Sequence, residues 1–240
     1  MTVLGYSIHE FIHGNCSLSM IRTFLQSGSH PDRVCLVSRR NHCPNSGNNT
    51  RTFTPLNLAV FWNSKALLNL LVAYHADIKV LANNTTKRTP LQLSTELGHL
   101  DMVSRLIELG ADVNSPPSPC KGFTALQLAA IHGFYPIAEL LLDHKAEVDY
   151  PAAKVCGRTA FEAATENGRL DMMLLLVRNG ADLISSAGSK QFERAIQFAE
   201  ARGEKPAIML AYELREIVQR VTVEAQDEAF NSLLDRAFDY

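Results

Sequence analysis

A threonine that opens a short apolar helix returns at a fixed interval along this chain: Thr54 in TPLNLAV, Thr89 in TPLQLST, Thr124 in TALQLAA and Thr159 in TAFEAAT, each 35 residues after the last. Other columns keep the same step, with Gly98, Gly133, Gly168 and Gly203 at turns and Leu71, Leu106, Leu141 and Leu176 at apolar positions. Chance does not co-register several columns. A copy of this length is one supersecondary unit, too small to bury its own apolar face, so neighbours must stack to build a core. The 46% hydrophobic content of the 240 residues is sufficient for such a core.

Each copy follows one grammar: an extended turn, a helix opening at Thr, a Gly turn, and a second apolar helix. The second helix ends at His75-Ala76-Asp77, Gly110-Ala111-Asp112, Lys145-Ala146-Glu147 and Gly180-Ala181-Asp182. Gly suits the left-handed conformation that a helix C-terminus favours there. Near the start of each second helix stand Asp101, Pro136, Asp171 and Pro206. Proline needs no N–H in a first turn, and Asp faces the positive end of the helix dipole.

From Arg51 to Ala187 these residues resemble ankyrin repeats, whose pattern is a TPLHLA helix, a Gly-His turn, a leucine-rich helix and a GADVN end. The resemblance implies an all-α repeat solenoid of about four regular repeats with degenerate caps and short hairpin-like fingers. The usual His of TPLHLA is replaced by Asn57, Gln92, Gln127, Glu162 and, in a degenerate fifth copy, Gln197. All five are expected to keep a hydrogen bond to the loop. The period is about two residues longer than the usual ankyrin unit, the excess lying in hairpins such as Asn114-Ser115-Pro116-Pro117 and Asp149-Tyr150-Pro151-Ala152. Followed by GRTA (Gly157 to Ala160) and ENGRLDM (Glu166 to Met172), the hairpin is similar to the ankyrin arrays of filamentous-fungal proteins.

The chain therefore divides into an N-terminal capping repeat over 1–32, a loop excursion over 33–50, four repeats over 51–187, a degenerate fifth repeat over 188–222 and an amphipathic helix over 223–240. Terminal copies lack a neighbour and so lose regularity. The fifth copy's second helix runs from Pro206 through Leu210, Leu214, Ile217, Val218 and Val221, and the last helix carries Phe230, Leu233, Leu234, Ala237 and Phe238. That last helix is expected to cap the final repeat, with a homodimer contact as the alternative.

A formal net charge of -2, with acids and bases interleaved, argues against nucleic acid and anionic membrane as partners. The opening MTVLGYSIHEF lacks a basic and apolar leader, which predicts a cytoplasmic chain. Five cysteines at irregular spacings, without a CxxC pair, are read as reduced thiols. His9-Glu10-Phe11-Ile12-His13 matches HExxH, whose two imidazoles would share a helix face around zinc, but the match lies in what reads as a repeat helix, with no preceding strand and no placed third ligand. His30, Cys35, His42 and Cys43 match no standard finger spacing. No metal or cofactor is expected.

The resemblance implies that binding uses the finger residues just before each Thr and the two residues before each helix-turn Gly. By register the first set is Arg51 and Phe53, Thr86 and Arg88, Lys121 and Phe123, Cys156 and Arg158. The second set is Phe61 and Trp62, Glu96 and Leu97, Ile131 and His132, Glu166 and Asn167. Phe53, Phe61, Trp62, Leu97, Phe123 and Ile131 would form an apolar stripe beside Arg51, Arg88, Lys121, His132 and Arg158. Aromatic and Arg anchors are the usual hot spots of protein interfaces, so the expected function is protein–protein interaction through this groove. The alternative is a binder of, or enzyme acting on, a small apolar molecule such as a natural-product intermediate, with His132, Glu96, Arg88 or Glu166 in acid–base roles.

Overall fold

The computed structural model describes residues 17–32, 35–38, 50–82, 87–119 and 122–238, with backbone alone for 35–38, 50–52 and 224–238. Contacts group the chain into two compact units, Met1–Ala146 with Ala152–Gly157, and Glu147–Pro151 with Arg158–Tyr240. The all-α repeat class holds in both: among the described residues there are helices throughout and one two-stranded sheet.

Unit 1 contains α1 (Leu18–Gln26), β1 (Cys35–Ser38), β2 (Thr50–Phe53) and three helix pairs: α2 (Pro55–Phe61) with α3 (Lys65–Ala73), α4 (Pro90–Glu96) with α5 (Leu100–Glu108), and α6 (Ala125–His132) with α7 (Tyr135–Asp143). Unit 2 contains α8 (Ala160–Glu166), α9 (Leu170–Arg178), α10 (Ser186–Arg202) and α11 (Lys205–Phe238).

Each regular pair starts where the sequence says it should. The hydroxyls of Thr54, Thr89, Thr124 and Thr159 accept hydrogen bonds from the N–H groups three residues on, at 3.1 to 3.3 Å. Gln92, Gln127 and Glu162 close the box by accepting the N–H of Thr89, Thr124 and Thr159. Gln92 also donates from Nε2 to the carbonyls of Ser115 and Pro116, tying the helix to the following finger. Asn57, one methylene shorter, donates instead to the Arg88 carbonyl at 3.1 Å.

The first turn of each pair needs a left-handed residue: Gly98, Gly133, Gly168 and Gly203 supply it, and Asn63 (φ 51) takes the same register in the first copy. At the second turn Gly110 and Gly180 alternate with His75 (φ 62) and Lys145 (φ 66). The core is the set of leucine columns. Leu71, Leu106, Leu141 and Leu176 are all fully buried, and Ala211 continues the column in α11. Truncating one such leucine costs about 2–5 kcal/mol.

Three expectations are corrected. The 33–50 excursion is not all loop, because Cys35–Ser38 pairs antiparallel with Thr50–Phe53, Cys35 opposite Phe53; the Cys-Leu-Val run and the two threonines suit a pleated strand. The boundary at residue 222 is absent, since α11 is one helix of 34 residues. No Gly or Pro follows Pro206 before its end to interrupt it. Gln197 is exposed, and the buried amide of α10 is Gln191, which donates to Asp149 and to the Asp182 carbonyl. Among the described residues no helix is long and apolar enough to cross a membrane.

Candidate functional site

In the first, second and fourth copies the residues flanking the capping threonine are brought together in pairs, eight positions apart. In the first copy the Phe53 and Phe61 rings lie 5.5 Å apart, and Trp62 stands edge-on to Phe61 at 5.4 Å. Trp62 ends α2 as its C-terminal cap and remains 43% exposed, while Phe53 and Phe61 are half-buried. Trp62 is thus a large aromatic ring supported by a neighbouring ring yet open to solvent.

In the second copy the same two positions are Arg88 and Glu96. They form a two-pronged ion pair, Nε to Oε2 at 3.1 Å and Nη2 to Oε1 at 3.4 Å. The Arg88 guanidinium also sits 5.7 Å from the Phe123 ring of the third finger. Leu97, Phe123 and Ile131 are half-buried, and His132 is exposed, stacked at 5.4 Å on Phe134. Phe53, Phe61, Trp62, Arg88, Glu96, Leu97, Phe123, Ile131 and His132 thus all belong to unit 1. The Arg51 side chain, Thr86 and Lys121 lie outside the described residues, as does the HExxH segment.

Arg158 belongs to unit 2, where its Nε donates to Glu166 Oε2 at 2.7 Å. The residues of the acid–base reading are therefore engaged with other groups: Arg88 with Glu96, His132 with a phenylalanine ring, and Glu166 with Arg158 and, at 3.3 Å, Arg202. Cys156 is an exposed free thiol, and Asn167 donates to the Ala163 carbonyl of its own helix. Among the described residues no group of three or more His, Cys, Asp or Glu could hold a metal.

Sequence reasoning missed the groups on α10 that surround Arg158. The Arg158 guanidinium lies 3.6 Å from the centre of the Phe198 ring, and Arg194 lies 5.7 Å from it. Arg194 Nη2 contacts Glu162 Oε2 at 3.3 Å. Glu162 is fully buried, and burial pushes its carboxyl above the ordinary value of 4.5, against the lowering effects of the Thr159 N–H, Arg194 and Arg158. Its Oε1 has no hydrogen-bond partner. The signal was present in the sequence: Arg194, Phe198 and Arg202 are spaced by four and share one side of a helix.

Comparison with curated proteins found no match. A model of ankyrin repeats in three copies matches residues 15–117, 56–153 and 116–187. With capped helix pairs, left-handed turns and leucine columns in the same register, the chain belongs to the ankyrin-repeat family.

Proposed function

We propose that the chain is a cytoplasmic binding module that holds a protein partner on the aromatic surface of unit 1, centred on Trp62, Phe61, Phe53 and Phe123. Ankyrin repeats are generally protein–protein interaction modules, and the exposed, ring-supported Trp62 is the observation that carries this assignment. In this reading Arg88 and Glu96 position the third finger through Phe123 and neutralise each other, leaving the rings to supply contact energy. The alternative, acid–base chemistry on a small apolar molecule, is less well supported, since Arg88 and Glu96 bind each other.

The test is cross-linking of a partner captured from native extract, mapped by mass spectrometry, with the parent chain and with Trp62→Ala combined with Phe123→Ala. Cross-links are expected on the fingers and helix ends of unit 1, with capture reduced at least about tenfold in the variant, as for a hot-spot pair. Unchanged capture by a folded variant would place the interaction elsewhere.

A further inference from the structure

We propose that unit 2 carries a second docking site, in which Arg194 and Arg202 hold two carboxylates of an extended acidic peptide while Phe198 between them packs against an apolar residue of that peptide. This site shares no residue with the aromatic surface of unit 1 and does not rest on it.

The geometry begins with α10. Arg194, Phe198 and Arg202 follow each other at intervals of four, so they line one side of the helix, and the backbone positions of the two arginines are separated by about 12 Å at the helical rise. Both side chains are open, 46% exposed for Arg194 and 54% for Arg202. Their contacts with Glu162 Oε2 and Glu166 Oε1, each at 3.3 Å, are ion-pair contacts and not hydrogen bonds. Among the described residues neither guanidinium donates a hydrogen bond to the chain. A guanidinium carries five N–H donors in a planar fork that matches a carboxylate, so each arginine, beyond its one ion-pair contact, has donors left for an incoming acid.

The charge balance points the same way. Three guanidiniums, those of Arg158, Arg194 and Arg202, face two carboxylates. Glu166 is occupied by Arg158 at 2.7 Å, and the buried Glu162 is held toward its neutral form. The guanidiniums of the cluster therefore outnumber the carboxylates they contact. Phe198 is half-buried and covered by Arg158 at 3.6 Å, which fixes the ring between the two arginines.

The spacing selects the ligand. In an extended peptide, residues four apart are separated by about 13 Å, close to the separation of the two arginines, and the residue midway between the acids falls opposite Phe198. A long polyanion such as nucleic acid fits less well, because it brings charges beyond the two that the arginines would hold against exposed Glu193 and Glu200 on the same helix.

The full-length chain is titrated against a fluorescent peptide of sequence Glu-Gly-Phe-Gly-Glu with blocked ends, by anisotropy at low salt. Saturable binding is expected, weakened at least about tenfold by Arg194→Gln with Arg202→Gln, and similarly by replacing both glutamates of the peptide with glutamine. Trp62→Ala should leave it unchanged, which separates this site from the unit 1 surface. Circular dichroism checks folding, and Arg202→Gln alone, at an exposed position, is the second variant, expected to weaken binding by a smaller factor. The proposal is overturned if the probe fails to saturate below about 1 mM, if the double variant or the diamide peptide binds as tightly, or if a dinucleotide of equal charge displaces the probe equally well.

Discussion

In the first and third repeats the residue before the capping threonine is Phe53 or Phe123, and the residue eight further on is Phe61 or Ile131; in the second and fourth repeats the same positions hold Arg88 or Arg158 and Glu96 or Glu166. The alternation extends to the second turn, where His75 and Lys145 stand in the odd copies and Gly110 and Gly180 in the even ones. It also includes the ELGHLDM and ENGRLDM runs, which occur only in even copies. The chain thus repeats at twice the length of its helix pair. The finger-to-helix connection is closed by ring contact in the first copy and by a hydrogen-bonded ion pair in the second and fourth. Odd copies present apolar surface, and even copies present a charge pair that satisfies itself.

Removing an arginine from an even copy should have the largest effect, and a different one in each. Arg158→Ala leaves Glu166, whose side chain is 15% exposed, with only the exposed Arg202, and uncovers Phe198; a cost of about 2 kcal/mol is expected. Arg88→Ala leaves the more exposed Glu96 able to turn to water, and a loss of about 1 kcal/mol or less is expected. Urea unfolding of the two variants compares them directly. Equal costs would mean that the even copies are interchangeable.

Glu162→Gln should sharpen the comparison of the two even copies, because the second copy already carries the amide at Gln92. Burial raises the Glu162 carboxyl, so the folded state binds that proton more tightly than the unfolded chain. The stability it contributes is present below the ordinary value of 4.5 and is lost as pH rises through the raised value. The glutamine variant is therefore expected to gain stability over its parent as pH increases, reaching about 1 kcal/mol at neutral pH. Denaturation at pH 4 and pH 8 checks the sign; a gain confined to the lower pH would contradict it. Smallest of all, His75→Gly and Lys145→Gly relieve positive φ at the odd turns and should each add about 0.5 kcal/mol, read as a small rise in Tm.

The helix pairs were legible in the sequence because each is marked at both ends by a chemical necessity, a threonine hydroxyl for the first N–H groups and a left-handed residue at the turn. The pairing of positions eight apart was less visible. Arg88 and Glu96 were identified as surface residues one by one, and only the curvature of finger against helix brings them into contact. Residues 33–50 lack the alternation that signals a strand, and β1 forms because β2 is there to pair with it. The fifth copy misled by register: α10 starts early, at Ser186, and the buried amide is therefore Gln191 instead of Gln197. The α10 arginines carried a readable spacing, but no repeat motif pointed to them.

Trp62, the sole tryptophan of the chain, tests the central claim most directly, because its emission reports burial of the odd-copy surface and nothing else. Titrating the captured partner should shift that emission to shorter wavelength and shield it from iodide quenching, with the same midpoint as binding measured independently. An emission spectrum unchanged at saturation would contradict the assignment of that surface.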